Sequence, residues 1–173
     1  MSKNKIRQRT RRRQGISLPT MLIAAGLLAF GLLVYEAARP RPGRAIADLG
    51  NDHIAYPQTA TYNSTPPTSG PHYESLARWG IHNSPIPNEL QVHNLEDGGV
   101  MVQYNCPDGC PEVIAELSRI VEAYDRFVIL APYPQMDARI ALTAWQRIDL
   151  LDEVDGPRIV EFIDTYIGID HHR

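Results

Sequence analysis

The stretch GGVMVQYNCPDGCPEVIAELSRIVEAY, residues 98–124, decides how the rest of the chain is read. Val100-Met101-Val102-Gln103-Tyr104 is a short strand candidate that stops at Asn105-Cys106-Pro107-Asp108-Gly109, a run with turn chemistry. Pro111-Glu112 then opens a helix, with proline at the first position and an acid at its electropositive end. Val113, Ile114, Leu117, Ile120, Val121 and Tyr124 fall on one stripe of that helix.

Working outward, residues 127–131 form an unbroken apolar run and predict a second strand buried on both faces. After Pro132-Tyr133-Pro134, residues 139–145 alternate as a third strand. A last helix over residues 157–167 buries Ile159, Val160, Phe162, Ile163, Tyr166 and Ile167. The expected fold is α+β: a small β-α-β-β-α sandwich with helices on one face of a mixed sheet. In front of it, residues 51–92 are rich in Pro, Gly, Asn, Ser and Thr and show no clean period. Tyr56, Tyr62, Tyr73, Leu76, Trp79 and Ile81 give that segment apolar anchors, which predicts an ordered loop layer.

The amino-terminal part has a different character. Residues 1–15, a basic cytoplasmic tail by this reading, carry Lys3, Lys5, Arg7, Arg9, Arg11, Arg12 and Arg13 and no acid. Residues 14–35 carry no charge, and at about 1.5 Å per residue they reach roughly 30 Å, the thickness of a hydrocarbon core. The expectation is a single-pass transmembrane helix at 16–37, in the lipid bilayer of the cell membrane, with the domain beyond it extracytoplasmic. Ala45-Ile46-Ala47 has the small-x-small form of a signal cleavage site, but it lies far past the apolar run. Residues 38–50, with Arg39-Pro40-Arg41-Pro42-Gly43, read as a linker, and residues 51–173 as the outer domain.

From residue 45 onward seven Arg and no Lys face nineteen Asp and Glu, a net charge of −12 beneath the overall −3. So acidic a domain repels phosphate backbones, which excludes nucleic acid as a partner and favours cations. No protein partner is legible.

Two motifs carry the chemistry. Pro66-Pro67-Thr68-Ser69-Gly70-Pro71-His72-Tyr73 and Val92-His93-Asn94-Leu95-Glu96-Asp97-Gly98-Gly99 each set an imidazole among backbone-restricting Pro and Gly. His72, His93, Glu96 and Asp97 are the candidate metal ligands, because imidazole plus carboxylate is the usual set for a divalent ion such as zinc, with copper also considered. The other reading is structural, with the imidazoles bonded to loop carbonyls and the carboxylates to loop N–H groups. His171 and His172, at the end of the sequence, are further metal candidates, whereas His53 and His82 read as loop residues in water. Ser69 lacks the surroundings of a nucleophile.

On those motifs, together with Trp79-Gly80 and Leu142-Thr143-Ala144-Trp145, the chain resembles an uncharacterised prokaryotic family, domain of unknown function 3105, over roughly residues 50–168. The resemblance implies an N-terminal membrane span but no activity. The family pattern usually reads His-Asn-Leu-Glu-His-Gly, and this chain has Asp97 where the second His is expected. A carboxylate there suits zinc and is a poor ligand for Cu(I).

Cys106 and Cys110 are expected to be bonded to each other outside the membrane, in a structural or a redox role. Three classes of function therefore stay open: a metal-binding outer domain, an enzyme, and a structural or protein-interaction module. The enzyme would be a metal-dependent hydrolase with Glu96 as base or a thiol oxidoreductase at Cys110.

Overall fold

The computed structural model describes residues 18–172. They divide into two compact units, the first ending at Pro40 and the second running from Arg41. The first unit holds helix α1, Leu18–Ala38, whose Leu22, Ile23, Leu27, Leu28, Phe30, Leu32 and Leu33 are all exposed. The basic tail expected at 1–15 and the start of the span expected at 16–37 lie outside the described residues. Side chains of α1 are described in separate stretches, the longest being 25–35, and among the described residues no helix is long and apolar enough to cross a membrane.

The second unit is built on one mixed six-stranded sheet. Its strands are β1 (Arg44–Ala45), β2 (Gly80–Ile81), β3 (Val100–Tyr104), β4 (Val128–Pro132), β5 (Ile140–Ala144) and β6 (Arg147–Leu151). They lie in the order β1-β6-β5-β3-β4-β2, with β3, β4 and β2 parallel and the other neighbours antiparallel. Helix α2 (Asn88–Glu96) precedes β3, α3 (Pro111–Val121) joins β3 to β4, and α4 (Gly156–Tyr166) follows β6.

Side chains alternate across the strands and so build two cores. On one face Val100, Val102, Leu130, Ile140 and Leu142 pack under α3 and α4 through Leu117, Val121, Ile159, Phe162 and Ile163. On the other, Met101, Ile129, Ala131 and Trp145 meet Val92 and Leu95 of α2 and Ala77 and Ile86 of the loop layer. Fully burying side chains of this size contributes about 1.5–3 kcal/mol each.

The expected β-α-β-β-α order is present as β3-α3-β4-β5-α4, with three strands and one helix added to it. Strand β6 leaves no mark in the sequence, since the β5–β6 turn is Trp145-Gln146, without the Asn-Gly or Asp-Gly that marks a tight hairpin. Gln146 takes φ 59° there, and its N–H donates to the Thr68 carbonyl. Strands β1 and β2 are two residues long, too short to show a period. Arg44 and Ala45, in the stretch expected to be a linker, pair with β6.

Helix α2 corrects the expectation of helices on one face only, and it carries His93 and Glu96. Its apolar stripe is missing because the helix is buried nearly all round, and its polar side chains are satisfied inside. Gln91 accepts from Gln103, Glu89 accepts from the Ala60 N–H, and Asn94 bonds both backbone groups of Ala77.

Candidate metal centre

The site forms where the end of α2 meets two segments of the loop layer. Residues 52–54 run parallel to His72: the Ile54 N–H donates to the His72 carbonyl and the His72 N–H to the Asp52 carbonyl. This brings His53 beside His72. Upstream, the Gly70 N–H donates to the Gly50 carbonyl at φ 127°, where any Cβ would press on Tyr62 and Leu49. Thr68, Ser69 and His72 are fully buried, and the Ser69 hydroxyl accepts from the Leu49 N–H, so it holds a loop. Tyr73 donates its N–H to the Glu89 carbonyl, fastening the loop to α2.

Both core imidazoles are held by a backbone carbonyl. His72 Nδ1 lies 2.8 Å from the Gly70 oxygen, and His93 Nδ1 lies 2.7 Å from the Tyr73 oxygen. A carbonyl only accepts, so each Nδ1 carries the hydrogen, and in the neutral ring each Nε2 presents a lone pair. His72 Nε2 faces Glu96 Oε2 at 3.0 Å, and both groups are buried. Burial holds the His72 pKa below its ordinary 6.5, although the bond to Gly70 and the charge of Glu96 pull the other way. The neutral ring therefore sets two acceptors against one another, an arrangement that needs a cation between them, a proton or a metal.

The ligand-capable atoms of His53, His72, His93 and Glu96 all lie within 4.8 Å of one another. Ligands on a tetrahedral zinc ion at about 2.1 Å stand about 3.4 Å apart, so binding would draw the widest pair of this group together by up to about 1.4 Å. His53 Nε2 is 3.9 Å from Glu96 Oε2 and its ring is half exposed. The other carboxylate oxygen, Oε1, accepts from Asn51 at 2.6 Å. Oε1 thus takes an amide hydrogen, while Oε2 of the buried carboxylate faces the imidazoles.

A second group adjoins the first. His93 Nε2, Asp97 and His172 also present atoms within 4.8 Å of one another. Asp97 Oδ1 stands 3.7 Å from His93 Nε2 and 3.6 Å from His172 Nε2.

His72, His93 and Glu96 are thus brought together, with Asp97 at the rim, and two residues join them that the sequence reading set aside or gave little weight. His53 carries no motif, and its place comes from a single parallel bridge. His172 is seated because its segment packs back on Glu96 and Gly98.

Cys106 and Cys110 form a disulfide with Cα atoms 5.8 Å apart. Cys110 is the buried N-cap of α3 and Cys106 is partly exposed. The pair follows β3 whereas Glu96 precedes it, so the two features occupy opposite ends of that strand.

A domain whose loop layer and buried helix gather three imidazoles and a carboxylate on one side of a mixed sheet is the class defined here. The chain belongs to the family described as "Protein of unknown function (DUF3105)", whose model matches residues 53–172. That match takes in both motifs, the disulfide and His172. No curated protein and no solved structure matches the chain.

Proposed function

We propose that this protein is a membrane-tethered, outward-facing domain that binds one divalent ion of the zinc class through His72, His93 and Glu96, with His53 as fourth ligand. The observation that carries the reading is the contact of His72 Nε2 with Glu96 Oε2 while His72 Nδ1 is tied to a carbonyl. Carbonyl-held Nδ1 groups fix the ring orientation and tautomer that a metal-bound imidazole requires. Three nitrogens and one carboxylate oxygen suit zinc, and the lack of a thiolate or thioether in the set disfavours Cu(I). Asp97 and the acidic surface favour cation capture.

The tether is supported by the basic excess ahead of residue 16, by the uncharged run to residue 35 and by the exposed apolar side chains of α1. Elemental analysis of the full chain purified in detergent, beside His72→Ala and His93→Ala, tests the metal. About one equivalent in the parent and almost none in the variants is expected. A metal-free parent overturns the reading.

The disulfide favours a second reading at a different place. Strand β3, the Cys pair, α3 and the parallel strand β4 follow one another directly, a βαβ unit with the cysteines at its helix start, where redox pairs sit. Cys106 borders two surface clefts, one lined by Pro85, Tyr104, Pro132 and Pro134, the other by Asp137 and Arg139. A thiolate from an external dithiol would attack Cys106 Sγ and expel Cys110 as a thiolate at the start of α3, where the helix dipole favours it. The external dithiol's second thiol then releases Cys106, leaving the dithiol oxidised and the protein reduced by two electrons. Alkylation after dithiothreitol titration decides it: two labelled cysteines at low reductant support exchange, and labelling only after denaturation leaves a structural staple.

A further inference from the structure

We infer that the segment following α4, residues 168–172, is a strap that closes the metal centre, and that His172 on it ligates the same ion from the solvent side. The inference rests on the metal reading of His72, His93 and Glu96.

The strap is seated by specific contacts. The Gly168 N–H donates to the Gly98 carbonyl at 2.8 Å and the His171 N–H to the Glu96 carbonyl at 2.9 Å. The His171 ring stacks on Trp145, with planes 20° apart and centroids 5.7 Å apart. Gly98, at φ 86°, is the point of closest approach, since a Cβ there would come within 2.7 Å of the Ile169 nitrogen. The first glycine of the pair that ends the second motif therefore makes room for the strap. Backbone curvature alone would tolerate asparagine at that φ, but the contact with Ile169 would not.

The histidine itself is aimed. Asp170 Oδ1 accepts from both the backbone N–H and the Nδ1–H of His172, at 2.9 and 2.7 Å. A carboxylate on Nδ1 turns Nε2 towards the centre, the orientation that carboxylate–histidine pairs give to metal ligands. His172 Nε2 stands 3.5 Å from Glu96 Oε2 and 3.6 Å from Asp97 Oδ1, and the His172 and His93 rings are 6.1 Å apart. Its Nε2 thus faces Glu96 and Asp97, the carboxylates that the ion would share.

The ligand set thereby falls into two parts with different tasks. His72, His93 and Glu96 are buried and fixed by the loop layer and α2, and they set the position of the ion. His53 and His172 are about half exposed on opposite segments, and they control its entry and release. Because the strap belongs to no strand, it can lift without unfolding the sheet.

The test uses the full chain in detergent, loaded with cobalt(II) chloride, and compares it with His172→Ala. Dissociation to excess EDTA and the visible ligand-field spectrum are followed on both. The expected result is about 10–100-fold faster release from the variant, with a shifted spectrum and one equivalent still bound at saturation. A truncation ending at Gly168 gives the same result if the strap is the agent. Identical release and identical spectra in parent and variants overturn the strap and leave the buried centre standing. A parent that takes up neither cobalt nor zinc overturns both.

Discussion

The imidazoles of His53 and His93 lie parallel, 10° apart in plane and 5.2 Å between centroids, and His72 stands edge-on to each at 5.0 Å. Three rings so arranged, with one carboxylate beneath them, divide into a half-exposed member and two buried ones. Substitution should separate the two kinds. His53→Ala is expected to keep the fold and weaken zinc binding at least about tenfold. His72→Ala is expected to abolish binding and also to lower stability by about 1–3 kcal/mol, because the Gly70 carbonyl loses its partner inside the protein. Zinc titration and urea unfolding on the same samples check both.

The pH dependence of the metal-free domain follows from His72. Its pKa is below the ordinary 6.5 in the folded state, so between the folded value and 6.5 the unfolded chain binds more protons. Its contribution to stability is fully present above about pH 6.5 and is lost as pH falls below that value. His172 acts in the opposite sense, since its bond to Asp170 raises its pKa. In chelator, denaturant midpoints from pH 7.5 to 5 should therefore fall for the parent and fall less for His72→Gln.

Asn94 is fully buried and clamps Ala77 from both sides, accepting from its N–H at 2.8 Å and donating to its carbonyl at 2.9 Å. Asn94→Ala leaves two backbone groups unpaired, which should cost about 2–4 kcal/mol in all. Asn94→Asp keeps the acceptor but sets a buried carboxylate against the Ala77 carbonyl, so a loss at least as large is expected. Thermal melts of the two variants check the order.

Membrane topology has its own test. Protease added to intact cells or spheroplasts should degrade the domain after residue 45 and spare the tail before residue 16. Full protection of the domain would reverse the orientation.

The sequence was most legible where periods are long. The stripe on α3 and the apolar run of β4 are set by burial against one face or two; β4 is displaced by one residue from its expected place, and α3 begins at Pro111 as expected and ends at Val121, before Tyr124. Helix α2 was hidden for the opposite reason: Glu89, Gln91, His93, Asn94 and Glu96 are buried as hydrogen-bonding groups, and a helix satisfied in that way has no apolar period. For the site, residue type pointed to His72, His93, Glu96 and Asp97, which do gather. His53 depends on a backbone pairing between residues 19 positions apart in a segment without period, and His172 on a glycine-sized gap at Gly98. Neither leaves a mark in local sequence.

The central claim is that the Nε2 lone pairs of His72 and His93 and the Glu96 carboxylate share one divalent ion. It is tested most directly by zinc titration of the chelator-stripped full chain in detergent, followed by the melting temperature of the domain. The account predicts saturation at one equivalent and a stabilisation of about 4 kcal/mol when free zinc reaches a thousand times Kd, absent in His72→Ala. A melting temperature that does not move with zinc, in a parent that stays metal-free, would contradict it.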